Sequence, residues 1–111
     1  MHKNLSPKEI KKLFKVITRK IHENISPEIP IYVIETTPTP SRWEVWNQIA
    51  NANDLIKAYT KKKSNLNFIS TRNYFLNKNG LPRGEYFVED SLHLSNSGYK
   101  LWEKIIKKVI E

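Results

Sequence analysis

Ile31-Tyr32-Val33-Ile34 runs through Glu35-Thr36 into Thr37-Pro38-Thr39-Pro40. The first four residues are nearly all apolar and rich in β-branched side chains, as expected of a strand buried on both faces. The alternating prolines that follow cannot continue a ladder or a helix, because each lacks an N–H and has a fixed φ. A loop must therefore form at the C-terminal end of this strand.

Upstream of the strand, Ser6-Pro7-Lys8-Glu9 reads as a capping box, with Ser6 as N-cap and Pro7 at the first helical position. Ile10, Leu13, Phe14, Ile17 and Ile21 then recur at three- and four-residue spacing, predicting a helix with one apolar stripe to about Asn24. Ser26-Pro27 and Pro30 end it. Downstream, a second helix is expected from about Ser41 or Arg42, with Val45, Ile49, Ala52, Ile56 and Tyr59 as its core stripe. Leu66-Asn67-Phe68-Ile69 reads as a second short strand. Asn79-Gly80 and Pro82 mark turns in a long connection. Ser95 is expected to cap a last helix, whose apolar face is Leu101, Trp102, Ile105, Ile106 and Val109.

Strands alternating with helices predict parallel βαβ units, covered by helices on both faces. Functional residues in such sheets gather in the loops at the C-terminal ends of the strands. Two segments qualify here, Thr36 to Arg42 and the connection ending at Asp90 to His93.

Composition narrows the alternatives. At 111 residues and 39% hydrophobic, the chain supports one modest core. No apolar run approaches a membrane span, and the N-terminus lacks the apolar segment of a signal peptide; neither point assigns a compartment. The absence of cysteine excludes a disulfide framework, a thiol nucleophile and a Cys-based zinc site. His2, His22 and His93 share no metal-ligand spacing, so no metal or cofactor is expected. The net charge of +8 raises the question of nucleic acid. Its lysines are spread over all three expected helices with no base-reading motif beside them, the pattern of solvated faces.

Phe87-Val88-Glu89-Asp90-Ser91-Leu92-His93-Leu94-Ser95 is where chemistry concentrates. Asp90, one of two aspartates, stands three residues before His93 and just ahead of a capped helix. A histidine acting as general base on a hydroxyl needs its far ring nitrogen held by an acceptor, and an aspartate at this spacing can reach that nitrogen. The same spacing equally suits a turn hydrogen bond or an N-cap, and on spacing alone both readings stand.

The stretch Glu89 through Trp102 resembles the last conserved block of the SGNH (GDSL) ester hydrolases, with Asp90, His93, Gly98, Tyr99 and Trp102 on the matching positions. Pro38-Thr39-Pro40-Ser41-Arg42-Trp43, Asn53, and Asn79-Gly80-Leu81-Pro82 with Tyr86-Phe87 are similar to further segments of a bacterial branch. The resemblance runs from about Ser6 to the end of the chain. It implies an incomplete three-layer α/β/α (flavodoxin-like) sandwich with two parallel strands and about three helices, residues 1–111 being the C-terminal portion of a single hydrolase domain. His93 would be the general base for carboxylic ester hydrolysis through an acyl-enzyme, and Asp90 its orienting partner.

The sequence departs from that family where it matters most. It has no Gly-Asp-Ser-like block and no Gly-x-Asn-Asp segment, and its first glycine is Gly80. Met1 thus reads as an internal start, with three strands missing. A His–Asp pair without a nucleophile has nothing to activate, so little activity is expected of the chain alone. Ser41 and Ser95 read as helix caps and Ser91 as a turn residue. Trp43 and Trp46 suit a core or a hydrophobic staple as readily as a pocket, and Arg42 suits the site or an ion pair. Ser70 stands where the family often has an aspartate. The expected partners are an ester substrate in the intact enzyme and an N-terminal half chain, or a second copy, on the open edge of the Ile31–Ile34 strand. The rival reading is a non-enzymatic module that binds a partner through that edge.

Overall fold

A computed structural model describes residues 5–110; Met1 and His2 lie outside them. The fold is α/β. In order it contains α1 (Pro7–Asn24), β1 (Ile31–Ile34), a 3₁₀ segment (Pro40–Val45), α2 (Trp46–Lys61), β2 (Leu66–Ile69), the single turn α3 (Arg72–Phe75), a second 3₁₀ turn (Gly84–Tyr86) and α4 (Asn96–Ile110). The two strands form one sheet. Ile31 N–H donates to Asn65 O and Glu35 N–H to Ile69 O, both at 2.9 Å. The partner advances in step with the donor, which makes the pair parallel.

The chain divides into two compact units, Met1–Val33 with Asn47–Phe68, and Ile34–Trp46 with Ile69–Glu111, so the boundary crosses both strands. In the first unit, α1 begins with the expected capping box: Glu9 N–H donates to Ser6 Oγ at 3.2 Å and Ser6 N–H to Glu9 Oε1 at 2.9 Å. Thr18 is its buried residue, and its hydroxyl donates back to Phe14 O at 3.0 Å. Phe14 meets Tyr59 edge-on at 6.2 Å. Ala52, Ile56 and Leu66 are buried. His22 sits half-buried on the helix, with Nε2 2.8 Å from Ile29 O.

The second unit has its core around Ile69, Phe75, Phe87 and Ile105, with Ile34, Tyr86, Leu94, Leu101, Trp102 and Ile106 packed against them. Gly98 lets α4 approach the second 3₁₀ turn, since a Cβ there would run into Tyr86 O and the Leu94 side chain. In the long connection, Gly80 takes φ 78° and Asn77 Oδ1 accepts from Asn79 N–H and Leu81 N–H. This is a tight turn that favours glycine.

Three expectations need correction. The second helix does not begin at Ser41 or Arg42: Pro40 starts a 3₁₀ segment that breaks at Arg42 (φ −114°, ψ 20°), and the α-helix begins at Trp46. The break turns Val45 outward and Trp46 inward, to 41% and 8% exposure. Among the described residues there are four α-helices where about three were expected, because α3 adds one turn within the long connection. Val109, placed on the apolar face of α4, is exposed, as are Leu13 and Ile17 of the α1 stripe.

Candidate active site

The segment after the second 3₁₀ turn folds back on itself. Phe87 and Leu94 form an antiparallel bridge, Val88 N–H donates to His93 O at 2.9 Å, and Ser91 N–H donates to Val88 O at 2.9 Å. Ser91 takes φ 57°, a left-handed conformation that non-glycine residues rarely adopt. That reversal brings Asp90 beneath the two residues that follow the turn.

Asp90 uses its two carboxylate oxygens for different tasks. Oδ1 accepts Leu92 N–H and His93 N–H, both at 2.9 Å, and so organises the turn. Oδ2 lies 2.5 Å from His93 Nδ1. The turn hydrogen bond and the ring hydrogen bond, which the spacing left as alternatives, coexist. The His93 and Leu92 backbone amides and the imidazole hold the Asp90 carboxyl down to about 2, the His93 amide most strongly. It is therefore ionised at any physiological pH. An ionised carboxylate only accepts, so the proton between the two residues sits on Nδ1, and in the neutral ring the lone pair is then on Nε2.

His93 is 67% exposed at its side chain, and Nε2 has no hydrogen-bond partner among the described residues. Ser95 caps α4 as expected: its Oγ accepts Gly98 N–H at 3.2 Å and donates to Glu85 O at 2.9 Å. Ser91 occupies the turn. Ser41 does not cap its helix. Its backbone N–H instead donates to Ser91 O at 3.0 Å, joining the two strand-end loops singled out above. No serine hydroxyl meets His93 among the described residues. Arg42 is exposed and forms no ion pair among them.

Beneath the first of these loops lies a buried carboxylate that sequence reasoning did not single out. Glu35 follows β1 directly and is 3% exposed. It accepts Thr71 N–H at 3.0 Å and Arg72 N–H at 2.7 Å, and pairs with Arg72 Nε at 2.6 Å. The Arg72 guanidinium lies over the Trp46 ring at 5.5 Å, and Trp46 stacks on Trp43 with 10° between the ring planes. Both tryptophans thus brace the loop. A charge placed immediately after an apolar strand was the available signal. Ser70 is exposed, and Thr71 and Arg72 next to it carry the bonds to Glu35.

A shallow concavity of about 530 Å³ in the first unit is lined by residues including Arg19, His22, Tyr59, Lys63 and Asn65; it contains neither Asp90 nor His93.

No family model and no curated protein matches this sequence. Among solved structures, the chain is similar to one from Streptococcus pneumonia provisionally described as a platelet activating factor, with a TM-score of 0.81 and 19% identity. The match covers 95% of this chain and 52% of that one, so the chain spans about half the length of the structure it matches. At this identity the likeness shows the fold alone.

Proposed function

We propose that this chain is the C-terminal portion of an SGNH (GDSL)-type ester hydrolase, in which His93 is the general base and Asp90 holds it. The observation that carries the reading is the hydrogen bond itself: a carboxylate on Nδ1, with Nε2 open to solvent. An exposed contact of this kind adds little to stability, so one this well organised is better explained by the tautomer it sets. The fold likeness and the resemblance of Glu89 through Trp102 support the same assignment.

In this reading a serine hydroxyl from outside the chain attacks the ester carbonyl carbon while Nε2 takes its proton. Asp90 stabilises the imidazolium that forms. The tetrahedral intermediate collapses, and the alcohol leaves with the proton returned from His93. Water, deprotonated by the same nitrogen, then releases the acid and restores the serine.

The test has a genetic and an enzymatic arm. If the DNA upstream of Met1 encodes a Gly-Asp-Ser block and a Gly-x-Asn-Asp block, the joined or co-expressed product should hydrolyse p-nitrophenyl acetate. The present chain alone should not, and His93→Ala should abolish turnover in the completed protein. Turnover that survives His93→Ala rejects the proposal. Absence of both blocks favours the module that binds a partner through its open sheet edge.

A further inference from the structure

Two ammonium groups from distant parts of the chain converge on the Tyr59 ring. Lys15 Nζ, on α1, stands 5.2 Å from the ring centre, and Lys63 Nζ, beyond the end of α2, stands 5.5 Å from it. Arg19 follows Lys15 by one helical turn on the same side of α1, and with Tyr59 and Lys63 it lines the concavity of about 530 Å³ in the first unit. The ring attracts each ammonium, but like charges that share a ring or stand four apart on a helix repel. Glu23 is the one carboxylate among the lining residues, and it pairs with neither Arg19 nor Lys63 among the described residues. The cations are gathered without a counterion from the chain.

The helix dipole does not account for this group. A helix C-terminus favours cations, which suits Lys63 after α2, but the effect fades within the last turn. Lys15 and Arg19 stand before the last turn of α1, whose basic residue is His22. The walls of the concavity are also fixed in advance. His22 Nε2 lies 2.8 Å from Ile29 O, and Asn65 Nδ2 donates to Pro27 O at 2.8 Å. These contacts tie α1 and the turn after α2 to the segment leading into β1. A site held in this way needs little ordering when a ligand enters.

We propose that this concavity binds a small phosphorylated molecule, whose anionic oxygens meet Arg19 and Lys63. The Arg19 guanidinium offers a planar fork to phosphate and the Lys63 ammonium a point charge. Lys15 adds positive charge beside Tyr59, and the hydroxyls of Tyr59 and Ser64 line the concavity as further donors. Cations supplied from two elements favour a ligand with more than one negative charge over a monoanion. The lysines of α4 differ: Lys100, Lys104 and Lys108 stand on an exposed helix face, and Lys107 pairs with Glu103. The inference concerns ligand binding and does not rest on the hydrolase reading.

The test titrates the purified chain with inorganic pyrophosphate and follows it by ¹H–¹⁵N spectra. A constant ionic strength of about 0.1 M screens attraction from distant charges. The amide resonances of Arg19, His22, Lys63 and Asn65 should shift saturably, with a Kd below about 1 mM. Arg19→Gln and Lys63→Gln should each weaken binding roughly tenfold, the scale of one hydrogen bond to a charged group. Both side chains belong to exposed residues, so the fold should survive either change. Lys100→Gln removes the same charge from α4 and should alter the affinity by less than about twofold. Acetate, a monoanion, should bind roughly tenfold more weakly than pyrophosphate or worse. Shifts that fail to saturate by about 10 mM overturn the inference. So do shifts that spread along α4, equal weakening in all three variants, and acetate binding as tightly as pyrophosphate.

Discussion

The backbone N–H of Ser41 donates to the carbonyl of Ser91 at 3.0 Å, tying the loop that leaves β1 to the turn that holds His93. The same loop is anchored from below by Glu35, whose carboxylate fixes the start of α3. The chain from Glu35 to Ser41, together with this bond, connects the end of the parallel sheet to the turn that carries the imidazole.

Asp90→Asn should leave the turn intact and reverse the tautomer of His93. The Asn carbonyl oxygen can still accept Leu92 N–H and His93 N–H, but its NH₂ now faces Nδ1 and requires a lone pair there. The ring proton moves to Nε2. Long-range ¹H–¹⁵N spectra of the purified chain should show an Nδ1–H form in the parent and an Nε2–H form in the variant. In the completed hydrolase the same change should lower kcat by roughly 10⁴-fold. An unchanged tautomer would show that Asp90 does not orient the ring.

Acid should undo this turn late. The Asp90 carboxyl is held at about 2, below its ordinary 3.8, so the bonds it accepts are fully present above about pH 4. They are lost as pH falls through about 2, the direction expected of a carboxyl whose folded value is depressed. The amide resonances of Leu92 and His93 should report this in an acid titration, with a midpoint near 2. A midpoint near the ordinary value would mean that the carboxylate is not held as described.

Glu35→Gln should destabilise the second unit by roughly 3 kcal/mol, the scale for removing one member of a buried ion pair. The amide keeps the shape of the side chain but turns one acceptor oxygen into a donor facing a donor. At least one of Thr71 N–H, Arg72 N–H and Arg72 Nε–H then loses its partner. A lower urea midpoint with an unchanged slope is the expected result. If stability holds to within a few tenths of a kcal/mol, the carboxylate is not what braces the loop.

What could be read along the chain was what local chemistry decides. The capping box of α1, the β-branched run of β1, the short stretch of β2 and the Ser95 cap each depend on neighbours within a few residues. The Asp90–His93 contact was legible for the same reason, though not the fact that one carboxylate serves both the turn and the ring. The Glu35–Arg72 pair was not legible. Its partners lie 37 residues apart, and only the parallel register of Glu35 on Ile69 brings them together. The start of α2 was misplaced because proline and the turn at Arg42 make a 3₁₀ segment, which shifts the buried position from Val45 to Trp46. α3 is a single turn, too short for any periodicity to mark it.

Thr39→Val should raise stability. Thr39 Oγ1 is buried and has no hydrogen-bond partner among the described residues, so folding strips its water and gives nothing back. Leaving such a group unmet costs about 1–3 kcal/mol, and removing it recovers part of that. Valine has nearly the same shape. The backbone at Thr39 is extended (φ −116°, ψ 146°) ahead of Pro40, a conformation that suits a β-branched residue. The bond from Arg42 N–H to Thr39 O, 3.2 Å long, uses only main-chain atoms and survives the change. The urea midpoint of the variant should therefore rise by the equivalent of about 1 kcal/mol. A fall of that size would show that the hydroxyl is satisfied in solution, and that the loop between β1 and α2 contains a polar contact on which its fold depends.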